Sequence, residues 1–217
     1  GVQRFIFSLG YKSEVIEDYL QTEYPTLEYT SVIEEEPLGT GGAIHFAIQK
    51  ANTNNIVIAN GDTLFKIKLE EVVSVHEAKD SECTLALKPM QHFDRYGVVE
   101  TDDNNRIVSF KEKQFYENGL INGGVYVLDK EKFLNRTFSS KFSFEKDYLE
   151  KFCEEGKFFG SVQDGYFIDI GIPSDYQQAQ IDLKKPILDL KQIDKSWTLF
   201  LDRDGVINIE RLGKYVL

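Results

Sequence analysis

Two cysteines, three histidines and no long apolar run set the first limits on this chain of 217 residues. Cys83 and Cys153 form no Cys-x-x-Cys pair, so no disulfide framework is expected and a reducing compartment fits. His45, His76 and His92 show no zinc-ligand spacing with either cysteine. No stretch approaches the length needed to cross a bilayer and no secretory leader is visible. The expectation is a soluble, cytoplasmic protein with no membrane partner. Basic residues are scattered rather than gathered, and the formal net charge is -11, a field that repels a phosphate backbone. Nucleic acid is therefore not an expected partner, although a few local cations or a metal suffice for a small phosphorylated ligand. The chain also lacks an initiator methionine and a closing element after Leu217, so sequence is expected to be missing on both sides.

What is present is enough to fold. The hydrophobic fraction of 41%, with 16 Phe and 11 Tyr, supports a core and argues against disorder. Strand patterns are expected at residues 4–9, 27–33, 55–59, 83–88, 97–100, 106–110, 124–128 and 166–170. Helical spacing is expected at residues 13–20, with Val15, Ile16, Tyr19 and Leu20 inward, and at residues 43–51, 69–78, 144–152 and 174–183. Ser13, Ser143 and Ser174 are the expected caps. The compact run at residues 55–59 reads as a central parallel strand, and the alternation of elements reads as an α/β fold with a largely parallel sheet, to which residues 97–100 and 106–110, joined by the turn Asp102-Asp103-Asn104-Asn105, add an antiparallel portion. Lys184-Lys185-Pro186 ends the last helix, because proline cannot continue one. Residues 184–196 then read as a linker, and residues 198–201 as a new strand.

Four motifs carry chemistry. In Glu34-Glu35-Glu36-Pro37-Leu38-Gly39-Thr40-Gly41-Gly42-Ala43, glycines permit close backbone approach and the following helix offers free N–H groups. Such a loop grips a base or phosphate, or is a plain strand-to-helix turn. Asn60-Gly61-Asp62 follows an apolar strand, where a carboxylate is placed to hold a divalent metal or to cap a turn. Asp169, within Phe167-Ile168-Asp169-Ile170-Gly171-Ile172-Pro173-Ser174-Asp175-Tyr176, sits in an apolar strand and needs a metal, a cation or several donors. In the string from Leu199 to Asn208, an apolar strand delivers Asp202 and Asp204 into a glycine turn.

The first three motifs in this order, with Glu112-Lys113 and Asn122-Gly123-Gly124-Val125-Tyr126, resemble the sugar-1-phosphate nucleotidyltransferase family, most nearly its guanylyltransferases, over residues 4–183. The resemblance implies a Rossmann-like α/β fold, with a mixed, mostly parallel sheet flanked by helices, over residues 1–183. It implies that Gly39, Thr40, Gly41 and Gly42 contact the nucleobase, that Gly61 lies near the ribose, and that Asp62 and Asp169 hold Mg²⁺. Glu112, Asn122 and Gly123 would meet the sugar, and Lys113 its phosphate. The family's glycine-rich triphosphate loop, carrying an Arg and followed by a Lys, lies upstream of the segment matching residues 4–10. The sequence does not contain it, so this polypeptide is expected not to be fully active. The fourth motif resembles the opening of haloacid-dehalogenase-type phosphatases of the heptose-bisphosphate kind. It makes residues 197–217 the first strand of a second α/β domain, with Asp202 as nucleophile and Asp204 as general acid/base. Together the two resemblances imply a bifunctional protein that converts a nucleoside triphosphate, expected to be GTP, and a sugar-1-phosphate to a nucleotide sugar and pyrophosphate. The expected sugar is D-glycero-D-manno-heptose or mannose, and the product would serve surface polysaccharide. A glucose-1-phosphate thymidylyl- or uridylyltransferase, a non-catalytic sugar-nucleotide-binding subunit and a protein that is mainly a phosphatase are the alternatives. The oligomeric state is left open.

Overall fold

The computed structural model describes residue 2 and residues 4–184. The expected linker from residue 185 onward, the strand at residues 198–201, Asp202 and Asp204 lie outside the described residues. The chain divides into two units, residues 1–179 and 180–217. The elements of the first are β1 (Phe5–Leu9), α1 (Ser13–Glu23), β2 (Tyr29–Ile33) and α2 (Gly39–Ala47), then β3 (Asn55–Ala59), β4 (Thr63–Phe65) and α3 (Leu69–Ala78). There follow β5 (Cys83–Phe93), β6 (Val99–Thr101), β7 (Ile107–Phe110), β8 (Tyr116–Asp129) and α4 (Lys130–Leu134). A π-helix at Phe144–Glu150, β9 (Phe158–Val162), β10 (Phe167–Asp169) and α5 (Pro173–Asp182), which runs into the second unit, complete the described part.

The main sheet has the order β3-β8-β5-β9. Strict alternation along β5 and β8 buries it on both faces. Leu85, Leu87, Tyr126 and Leu128 point to a large cluster with Phe133, Phe144, Tyr148 and Phe158. Ala86, Val125 and Val127 point the other way, to Phe65 of β4 and Val72 of α3. Two-sided burial is why both strands read as continuous apolar runs. Each fully buried aromatic side chain contributes about 1.5–3 kcal/mol of transfer free energy.

The mixed α/β architecture is as the sequence indicates, but the sheet is not mostly parallel. Among the described residues β1–β2 and β5–β9 are parallel, whereas β3–β8, β5–β8, β4–β10 and β6–β7 are antiparallel. The strand expected at the centre, β3, is an edge of the four-stranded sheet and pairs antiparallel with β8. An apolar run reports burial, not the direction of its neighbour. The apolar stripe expected to face inward on α1 is also largely exposed: Leu20 is buried, while Val15 and Tyr19 are more than half exposed.

Local signals fared unevenly. Ser13 is the first residue of α1 rather than its cap, the cap position being Lys12 with no side-chain hydrogen bond. Ser143 caps the helix after it by accepting from Lys146 N, and that helix is π-type rather than α. The turn at Asp102 closes β6–β7, its carboxylate accepting from the backbone N–H groups of Asn104 and Arg106, each at 2.9 Å. The last helix starts at Pro173, one residue before the expected cap; proline suits the first helical position.

His76 is buried on α3, its Nδ1 lying 3.1 Å from Thr84 Oγ1. Burial holds its imidazole below the usual value of 6.5, with the Asp129 charge opposing and the Lys132 charge adding to the shift. The unfolded chain therefore takes up a proton near pH 6.5 that the folded chain refuses. Stability should fall as pH drops through 6.5 toward the lower folded value. Denaturant titrations at a series of pH values check this: His76→Gln should flatten that part of the profile, and an unchanged slope would refute the assignment.

Candidate active site

The site grows from an irregularity in β8. Between Leu85↔Tyr126 and Leu87↔Asn122 the register shifts, so β8 spends two more residues than β5 over the same span. Such a bulge bends the strand and re-aims its side chains. Gly124 takes φ 72°, the left-handed region where glycine carries no Cβ penalty. Asn122 Oδ1 accepts from Gly124 N at 3.1 Å, and Asn60 N donates to Gly124 O at 2.9 Å. The end of β3 is thereby tied to the bulge. Gly123 is buried, and a Cβ there would lie 2.4 Å from the Phe65 ring. It serves close packing, and its neighbours Asn122 and Gly124 reach the cleft.

That cleft has a volume of about 120 Å³. Asn60, Thr63, Tyr96, Lys113, Asn122, Gly124, Glu145, Phe167 and Asp169 line it. The Lys113 ammonium has no hydrogen-bond or ion-pair partner among the described residues. Glu112 does not line the cleft. It lies toward Glu150, whose carboxyl is raised by burial and next by repulsion from Glu112.

The β4–β10 pairing sets the backbones of Asp62 and Asp169 on neighbouring chain segments; Asp169 lines the cleft, and Asp62 does not. Asp169 faces Thr63, and Ile170 N donates to Asp62 O at 2.9 Å. Asp62 is exposed, with Thr63 donating to its carboxylate at 3.3 Å. Asp169 is half-buried and accepts from Gly171 N at 2.8 Å and from Tyr96 OH at 3.4 Å. Arg95 lies 4.0 Å from Asp169 and pairs more closely with Asp175. Burial first, then the Asp169 charge, pushes the Tyr96 phenol up to about 12. The Asp169 carboxylate, with the amide and hydroxyl oxygens of Asn60, Thr63 and Asn122 lining the same cleft, is the kind of oxygen donor a hard cation that keeps several waters takes. No group of three or more His, Cys, Asp or Glu side chains occurs among the described residues, so ligand oxygens would have to complete any such site. Gly61 is exposed, with open space around it.

The glycine-rich stretch is elsewhere. The helix expected from residue 43 begins at Gly39, so Gly39, Thr40, Gly41 and Gly42 form its first turn. Phe142 O accepts from Gly41 N at 3.0 Å and from Gly42 N at 3.3 Å, and Thr40 Oγ1 accepts from Phe144 N. Gly39 has φ 73°, and a Cβ there would lie 2.6 Å from Phe142 O. These glycines thus permit close packing on residues 140–142. Gly39 and Thr40 also line a wider depression of about 590 Å³ with Lys141, Phe142, Ser143 and Asp147. Sequence reasoning did not single out Tyr96, Thr63 or Glu145. Thr63 adjoins Asp62, but only the fold could bring Glu145 to Asn122.

The fold and cleft define a mixed α/β protein with a small polar cleft beside the ends of its strands. Residues 1–185 match the sequence model described as nucleotidyl transferase, and the chain belongs to that family. It is a nucleotidyltransferase. Over 184 residues it is 49% identical to the D-glycero-alpha-D-manno-heptose 1-phosphate guanylyltransferase of Aneurinibacillus thermoaerophilus, covering 85% of this chain and 80% of that one. Over 182 residues it is 42% identical to the enzyme of the same name from Campylobacter jejuni, covering 84% of this chain and 80% of the relative. Among solved structures, HddC from Yersinia pseudotuberculosis complexed with GMP-PN superposes with a TM-score of 0.76 at 37% identity. That match covers 85% of this chain and 80% of HddC. No helix among the described residues is long and apolar enough to cross a membrane.

Proposed function

We propose that the chain transfers a guanylyl group from GTP to D-glycero-α-D-manno-heptose 1-phosphate, giving GDP-heptose and pyrophosphate. The single observation that carries this reading is the unpaired Lys113 ammonium in a cleft that also holds Asp169, Asn122 and Glu145. A cation for phosphate and acceptors for hydroxyls are the needs of a sugar phosphate. The heptose and the guanine rest on the names of the two relatives. A sugar-phosphate oxygen attacks the α-phosphorus, the α–β phosphoanhydride bond breaks, and pyrophosphate leaves. The attacking oxygen is already anionic, so no general base is required. The protein's task is to hold two anions that repel each other. Lys113 binds the sugar phosphate, Asn122 orients the sugar side, and Gly39 and Thr40 border the base. Asp62 and Asp169 would hold Mg²⁺, which supplies neutralisation of the phosphate charge.

Lys113→Ala should raise the KM for the sugar-1-phosphate roughly 10- to 100-fold, the worth of one charge-assisted contact. The KM for the nucleotide should change little, and initial-rate kinetics with each substrate varied in turn check the split. The reading as a whole is tested by pyrophosphate release from the full-length protein with four nucleoside triphosphates and several sugar-1-phosphates. Preference for GTP with the heptose phosphate supports it; turnover with another pair only would replace it.

The Asp202-Arg203-Asp204-Gly205 string favours a second, sugar-phosphate phosphatase activity in the same protein. A variant carrying Asp202→Asn should lose phosphate release from a heptose bisphosphate and keep guanylyl transfer. Retained phosphatase activity would dismiss that second reading.

A further inference from the structure

Glu145 is the second residue of the π-helix Phe144–Glu150, and the residues before it hold it there. Phe144 is buried, its ring 5.0 Å from that of Tyr126, and its N–H donates to Thr40 Oγ1 at 3.0 Å. Ser143 caps the turn just before it. The Glu145 side chain lines the cleft, and Oε1 accepts from Asn122 Nδ2 at 3.2 Å.

That contact changes what Asn122 can offer. Its amide nitrogen donates to Tyr126 OH at 2.8 Å as well as to Glu145, and its carbonyl accepts from Gly124 N at 3.1 Å. Both N–H groups of the amide are engaged, so Asn122 has one acceptor lone pair left for a ligand. Glu145 is the opposite case. Its second carboxylate oxygen has no partner among the described residues, and no cation pairs with it, although the free Lys113 ammonium lines the same cleft. A carboxylate with spare acceptor capacity takes hydroxyl donors and repels a phosphate. An ammonium does the reverse. The two groups therefore give the cleft a direction.

We propose that Glu145 is a specificity-determining residue whose carboxylate accepts hydrogen bonds from the hydroxyls of the bound sugar, while its contact with Asn122 fixes that wall of the cleft. The inference rests on reading the cleft as the sugar-phosphate site. It assigns the hydroxyl-reading role to a residue outside the Glu112, Asn122 and Gly123 set.

Initial-rate kinetics and calorimetric binding of the sugar-1-phosphate to the full-length protein, with Glu145→Ala and Glu145→Gln, form the test. Glu145 is exposed, so the thermal midpoint should be unchanged in both variants. In Glu145→Ala the KM and Kd for the sugar-1-phosphate should rise roughly 10- to 100-fold, while the KM for GTP stays within about twofold. Glu145→Gln, which keeps an acceptor oxygen, should fall between. A sugar-1-phosphate lacking the hydroxyl that Glu145 reads should bind the wild type more weakly and be unaffected by the substitution. Unchanged sugar kinetics in an active Glu145→Ala enzyme, or a parallel rise in both KM values, would overturn the role of Glu145 alone. A wild-type protein that neither binds nor turns over any sugar-1-phosphate would overturn the functional reading together with it.

Discussion

Asp169→Asn should lower nucleotidyl transfer in the full-length protein by on the order of 10³-fold, the effect of removing one preorganised charge from a phosphoryl-transfer site. The substitution keeps the size of the side chain and one oxygen, which can go on accepting from Gly171 N, while the new amide nitrogen can donate to Tyr96 OH. What it removes is the charge. Its cost in stability should be small, since the pair with Arg95 is 4.0 Å long and Arg95 retains Asp175; a partly exposed pair of this kind is worth less than about 1 kcal/mol. The expected result is thus a folded protein with an unchanged thermal midpoint that has lost turnover. Pyrophosphate release at a series of Mg²⁺ concentrations checks it. Full activity in the variant would remove Asp169 from the proposed metal site.

Arg136→Ala has its effect on the fold instead. Arg136 forks onto Glu82 through Nε at 2.9 Å and a terminal nitrogen at 2.7 Å, and it also reaches Glu155. Its guanidinium lies 4.2 Å from the centre of the Phe152 ring. Glu82 is only 4% exposed, with Tyr148 OH as its other side-chain donor, at 3.0 Å. The hydrogen bonds to Glu82 and then Glu155 hold the guanidinium firmly protonated. Truncation leaves a buried carboxylate with one neutral donor, which costs about 3–5 kcal/mol. For a chain of this size the midpoint should fall by roughly 6 to 20 °C. Thermal denaturation measures it. Pairing the change with Glu82→Gln should recover part of the loss, because the stranded charge is then gone. A shift of only a degree or two would show that water or rearrangement reaches Glu82.

The Arg136 network also marks a limit of sequence reading. Glu82 and Arg136 stand 54 positions apart in chains of unremarkable charge. Nothing in either segment sets this ion pair apart from a solvated surface pair. The cap at Ser143 and the turn at Asp102 were legible because their chemistry is local. Ser143 and Asp102 each satisfy backbone groups within four residues.

By itself the sequence determined the family, the mixed α/β class and most element positions, because periodicity, caps and motif strings are written along the chain. It also singled out Lys113, Asn122 and Asp169, which line the cleft. The tertiary structure decided how β3 pairs, which face of α1 is exposed, and that the glycines of α2 receive Phe142. It alone gathered Lys113, Asn122, Glu145 and Asp169 around one cleft. These outcomes depend on contacts between distant segments, above all the β8 bulge and the β4–β10 pairing, and no local pattern carries the geometry of a contact whose partner lies a hundred residues away.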